Sequence, residues 1–130
     1  MAALFMAMAS FPAYAGICHV QMSSQEDHSA IAQRVMVDVE RGIQANRRLA
    51  LASLRGGHDV QFHLISAPPE RRPYVTAADP FLLFFVLTDR NGKFLSADTL
   101  RCAQGAGSCV ASVMREVEDT CSRVQMASAL

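Results

Sequence analysis

No tryptophan occurs in the 130 residues, aromatic side chains make up 7% of them, and only 7 glycines and 5 prolines interrupt the chain. So little glycine and proline excludes collagen-like and low-complexity classes, which are dominated by these residues. A surplus of either charge is absent too, because 12 Lys and Arg balance 12 Asp and Glu. Without a basic excess the chain lacks the counterion-release drive of nucleic-acid and anionic-membrane binders. No nucleic acid is expected among its partners. Common catalytic and metal motifs are also missing: there is no CxxC, HxH, HExxH, P-loop or G-x-S-x-G elbow. Asp59, Asp79, Asp89 and Asp98 are scattered over expected turns and strand ends, where Asp caps local backbone groups, and nothing pairs them as acid and base. His19, His28, His58 and His63 show no ligand spacing, and on an extended strand His58 and His63 fall on opposite faces. No metal and no cofactor are expected, and a non-catalytic role is favoured over that of an enzyme.

What is present is a core. Half of the chain, 51%, is hydrophobic and 18% is charged, the balance of one packed domain. Residues 1–15 form an apolar run closed by Ala13-Tyr14-Ala15, with Pro12 just before it, which is the pattern of a secretory signal peptide cut before Gly16. The expected organisation is therefore a signal peptide over 1–15 and a single domain over 16–130. Pro12, Gly16 and His19 break the run before it reaches the roughly 20 residues of a membrane span, so none is expected after cleavage. Export makes the periplasm or the exterior the expected location and turns four cysteines, Cys18, Cys102, Cys109 and Cys121, into a disulfide framework. Four cysteines permit three pairings. Periodicity favours Cys18 with Cys121, because the first shares the apolar face of a strand with Val20 and Met22 and the second lies on the apolar stripe of a terminal helix. Cys102 and Cys109 would then close the short loop between the last strand and that helix.

Along the chain, Ser23-Ser24-Gln25-Glu26 has the form of a capping box. Ala32, Val35, Met36, Val39, Ile43, Ala50 and Leu54 recur at helical steps, so the spacing predicts a long helix reaching Gly56-Gly57, with Gly42 or Asn46-Arg47-Arg48 as points at which it bends or divides. Val60, Phe62 and Leu64 alternate with polar neighbours as in a half-buried strand. Pro68, Pro69, Pro73 and Pro80 mark a connector in which Tyr74-Val75-Thr76 has room for a short edge strand. Phe81 to Leu87 is continuously apolar, which predicts burial on both faces, and Asp89-Arg90-Asn91-Gly92 predicts a hairpin turn into Phe94 to Leu100. Gly105-Ala106-Gly107-Ser108 then leads into a helix capped by Ser108, with Val110, Val113, Val117, Cys121 and Val124 on one stripe.

The fold class expected is α+β: a small, mainly antiparallel sheet of three to four strands with a long N-terminal and a C-terminal helix. The order strand, helix, strand, Pro80, hairpin, helix also resembles thioredoxin-like proteins in outline, which implies a minimal α/β sandwich as the alternative. The CxxC of that family after the first strand is missing, since Cys18 is followed by His19, Val20 and Gln21.

One charged feature is regular. Arg34, Arg41, Arg48 and Arg55 recur every seven residues, a row on the polar side of the predicted helix that suits an acidic partner. The function expected is that of a secreted or periplasmic binding module held by disulfides, an inhibitor, immunity or assembly factor that meets another envelope or secreted protein. A thiol-disulfide protein working through Cys102 and Cys109, and a small-ligand sensor using the sheet face, are the alternatives.

Overall fold

A computed structural model of the chain describes residues 16–24, 29–53, 55–68, 80–102 and 107–129. The expected signal peptide, the residues 25–26 of the expected capping box and the expected edge strand at 74–76 lie outside these. Among these residues five strands and two helices follow one another as β1 (Cys18–Ser24), α1 (Ala30–Ala45), β2 (Leu49–Leu51), β3 (Val60–Ser66), β4 (Phe81–Asp89), β5 (Phe94–Cys102) and α2 (Gly107–Ala129).

The strands form one mixed sheet in the order β2-β1-β3-β4-β5. β1 runs parallel to β2 and to β3, with Cys18 opposite Leu49 and Met22 opposite Phe62, while β3, β4 and β5 are antiparallel in succession. This overturns the three- to four-stranded, mainly antiparallel sheet. It equally overturns the thioredoxin-like sandwich, in which the hairpin lies beside the first strand: here β3 separates β1 from β4.

The largest correction is to the length of the first described helix, which has 16 residues and stops at Ala45, so that the chain divides at Asn46-Arg47-Arg48, one of the two expected points. Its start is set by Ser29, whose hydroxyl accepts the Ala32 N–H at 3.1 Å, and Ser23 and Ser24 belong to β1 instead. Its end is set by Asn46. The Asn46 N–H donates to the Ile43 carbonyl, its side-chain oxygen accepts the Arg48 N–H at 2.8 Å, and its amide nitrogen donates to Glu118 of α2. After this turn Leu49 and Leu51 alternate with Ala50, and Leu49 is buried against the core. Gly42, expected as a bend, is instead the close approach of the two helices: a Cβ there would stand 2.8 Å from the Met114 sulfur.

Both helices pack on the same face of the sheet and on each other. Val20, Phe62, Leu64, Leu83, Phe85 and Leu87 point from the strands into this layer, and Ile31, Val35, Val39, Ile43, Val113 and Val117 meet them from the helices. Phe62 and Phe85 stack at its centre with ring centroids 5.5 Å apart. Two disulfides tie α2 down. Cys121 is joined to Cys18 at the start of β1, and Cys109 to Cys102 at the end of β5, with Cα separations of 6.0 and 5.6 Å. The bridged positions on α2 are about 18 Å apart at 1.5 Å per residue, so the helix is fixed at two points along the sheet.

The hairpin turn is held by Asp89, whose carboxylate accepts the N–H groups of Asn91 and Lys93 at 2.8 Å each, and by Gly92 at φ +82°. In β4 the apolar run is buried on one face only. Phe81, Leu83, Phe85 and Leu87 are in the core, whereas Leu82, Phe84 and Val86 are half-buried on the opposite face, which bears no helix among the described residues.

Candidate functional site

At the end of the sheet where β1 and β3 begin, Asp59 forms a hub between elements far apart in sequence. Its backbone N–H donates to the His19 carbonyl at 2.8 Å, and the His19 N–H donates back to its carboxylate at 2.9 Å. The same carboxylate lies 3.6 Å from His19 Nδ1 and 3.7 Å from the Arg90 guanidinium in the hairpin turn. All three side chains are partly exposed, so these contacts orient the groups more than they stabilise the fold. Two hollows meet at Asp59, Arg90 and Asn91. The smaller, of about 300 Å³, is bounded by His19, Gly56, Gly57 and His58. The larger, of about 680 Å³, is bounded by Lys93 and Leu95 of the hairpin and Thr120, Arg123, Val124 and Ala127 of α2.

In the larger hollow Arg123 donates to the Thr120 hydroxyl at 3.1 Å and stands 3.8 Å from Glu116, while Lys93 makes no ion pair among the described residues. Leu95, Val124 and Ala127 supply an apolar wall beside these cations. Nothing in the basin sets a nucleophile against a base, and what this arrangement offers is binding. It also lies at the amino ends of the parallel strands, opposite to the carboxyl ends at which open α/β sheets usually take ligands.

A second feature is the sheet face on which no helix lies among the described residues. His63, Val86 and Ala97 are aligned across β3, β4 and β5, and Phe84 and Thr99 are paired beside them. Together with Ile65, which is 41% exposed, Phe84, Val86, Ala97 and Thr99 line a shallow groove of about 480 Å³. On the same face the His63 ring nitrogen lies 2.8 Å from the Thr88 hydroxyl. Burial, and secondarily the neighbouring His58, holds the His63 imidazole below its ordinary value of 6.5. The folded state therefore binds a proton at His63 less readily than the unfolded chain. Its neutral form contributes stability that is present above 6.5 and is lost as pH falls through the lower folded value. His63→Gln is expected to flatten the fall in stability below pH 6.5, as read by urea midpoints across a pH series; an unchanged slope would assign the fall to other groups.

The structure separates the expected partner-binding arginines. Arg34 and Arg41 share the solvent face of α1, but Arg48 sits in the turn before β2 and Arg55 in the turn after it, because the helix ends at Ala45. All four are exposed, and none makes an ion pair among the described residues. Cys102 and Cys109 are buried at 0% and 4% exposure, unlike a working redox pair, which presents a sulfur to solvent. Among the described residues no group of three His, Cys, Asp or Glu side chains is placed to hold a metal, and no helix is long and apolar enough to cross a membrane. Asp59, Arg90, Lys93, Thr120 and Arg123 carry no mutual sequence signal; only the Asp89 to Gly92 turn hints at where two of them project.

No protein-family model matches the chain, and neither does any curated protein. Similar solved structures include a minor lipoprotein from Acinetobacter baumannii, 14% identical, with a TM-score of 0.43 over 87% of this chain and 91% of that one. The uncharacterized lipoprotein B from Nitrosomonas europaea is 14% identical, with a TM-score of 0.41 over 88% of this chain and 81% of that one. The PelC dodecamer from Paraburkholderia phytofirmans is 15% identical, with a TM-score of 0.43 over 85% of this chain and 88% of that one. Likeness at these values assigns neither a family nor a function. The two disulfides are those of a chain that matures in an oxidising compartment.

Proposed function

We propose that the protein is a disulfide-stabilised binding module of the periplasm or the exterior, and that its partner is another folded protein of the same compartment. The observation that carries this reading is the unlayered sheet face. Leu82, Phe84 and Val86 continue the apolar run of β4 on a side where no described helix lies, and a groove with exposed Ile65 runs beside them. Apolar surface of this kind, rimmed by polar groups such as Gln61, Thr88 and Thr99, favours association with a protein surface over free solvation. The two bridges suit such a role, since they hold the sheet rigid and reduce the entropy lost on docking.

A second docking surface is favoured by a separate observation. Arg34, Arg41, Arg48 and Arg55 are exposed with no ion pair among the described residues, and they lie on α1 and around β2, away from the groove. These arginines remain candidates for an acidic partner.

Photo-crosslinking residues at Ala97 and Thr99, compared with the same residues at Arg34 and Arg41, separate the two surfaces in cells that produce the protein. The expected result is a discrete protein adduct from Ala97 and Thr99 that disappears when Ile65 is changed to Glu. Adducts confined to Arg34 and Arg41, lost on Arg41→Glu with Arg48→Glu, would move the docking surface to the arginines. Absence of adducts from all four positions would overturn the protein-binding reading.

A further inference from the structure

The hollow between the hairpin turn and the end of α2 has a charge and a wall that the sheet-face reading does not use. Its two carboxylates are already engaged. Asp89 accepts two backbone N–H groups of its own turn, and Asp59 faces the His19 N–H, the His19 ring and Arg90. Its cations are less committed. Lys93 has no ion-pair partner among the described residues, and Arg123 reaches Glu116 only at 3.8 Å with a 61% exposed side chain. Between them stand Leu95, Val124 and Ala127, apolar and at least partly open to solvent. A ligand that suits this lining presents one anionic head to the two cations and an apolar group to the wall. Its size is bounded by about 680 Å³, within the range of ordinary small-molecule pockets.

We infer that this hollow is a binding site for a small amphipathic anion, an apolar chain ending in a carboxylate or a phosphate. Lys93 and Arg123 hold the head, with Arg123 steadied by the Thr120 hydroxyl at 3.1 Å, and the chain lies along Leu95 and Val124. Arg90 is held toward Asp59 and closes the side shared with the smaller hollow. The site lies apart from the sheet-face groove, so its failure would leave the protein-binding reading standing, and the converse also holds.

The test is a titration of the ¹⁵N-labelled, disulfide-intact protein, followed by amide chemical shifts, with four probes: octanoate, octyl phosphate, octyl glucoside and inorganic phosphate. Octanoate or octyl phosphate is expected to move the amides of Lys93, Leu95, Arg123 and Val124 in a saturable way, and the tighter of the two identifies the head group. Octyl glucoside and inorganic phosphate are each expected to bind about fivefold or more weakly than the better anion. Lys93→Gln with Arg123→Gln is expected to weaken that anion by about fivefold or more while the melting temperature is unchanged. Equal binding of octyl glucoside would make the site merely apolar, and equal binding of inorganic phosphate would make it merely a charge. Either result, or shifts that the double variant leaves in place, or no saturable shift at all, would overturn the proposal.

Discussion

Replacing Cys18 and Cys121 by alanine is expected to lower the unfolding free energy by about 4 to 5 kcal/mol, with a fall in melting temperature of about 15 to 20 °C. The size of the effect comes from the loop. The two residues are 103 positions apart, so the bridge removes the freedom of nearly the whole unfolded chain. The Cys102–Cys109 bridge spans only 7 positions, and the same relation gives it about 2 to 2.5 kcal/mol. Both bridges are buried, which makes alanine the fitting replacement because it leaves no hydroxyl without a partner. Urea unfolding of the two paired variants checks the order. A loss from the short bridge equal to or greater than that from the long one would contradict the account of α2 as a helix stapled across the fold.

Phe85→Ala is expected to cost about 3 to 5 kcal/mol, the range for deleting a ring from a close-packed core. Phe85 is 2% exposed, stacks on Phe62 and comes from β4, while Phe62 comes from β3 and is 0% exposed. Removing either ring leaves a void beneath both helices, where the disulfides limit collapse. Because the two rings share one contact, Phe62→Ala with Phe85→Ala is expected to cost less than the two single losses added. A loss below about 1.5 kcal/mol for Phe85→Ala, measured by the same urea unfolding, would mean that the centre of the core lies elsewhere.

How far the fold is legible from the sequence depends on the range of the interactions that make each element. β3 is visible because Val60, Phe62 and Leu64 alternate within one short segment, and all three are buried. The hairpin turn is visible for the same reason: Asp89 and Gly92 act on their own neighbours. β2 is hidden. Three residues carry little pattern, and Ala50 and Leu54 happen to continue the helical step of α1, so the periodicity runs through a real chain reversal. The feature that breaks it is Asn46, whose side chain bonds both to the turn and to Glu118, and the second of those partners lies 72 residues away. Sheet order is likewise set by pairings between distant segments, such as Cys18 with Leu49 and Val20 with Val60.

The apolar run of β4 misleads in an instructive way. In many sheets seven apolar residues in succession mean cover on both sides, yet among the described residues no helix lies above Leu82, Phe84 and Val86. The proposed docking surface rests on that mismatch between composition and described cover. The basin leaves no such trace, because Asp59, Lys93 and Arg123 each read as an ordinary surface residue in their own segment. Only the hydrogen bonds between Asp59 and His19, and the approach of α2 to the hairpin, bring them to one place.

The central claim, an exported domain locked by two bridges, is tested most directly by mass mapping. The protein recovered from producing cells would be alkylated with and without prior reduction, weighed intact, and digested without reduction. The account predicts a chain that begins at Gly16, four cysteines that react only after reduction, and linked peptides joining Cys18 to Cys121 and Cys102 to Cys109. A chain that still carries residues 1–15, with four thiols free to react at once, would contradict it.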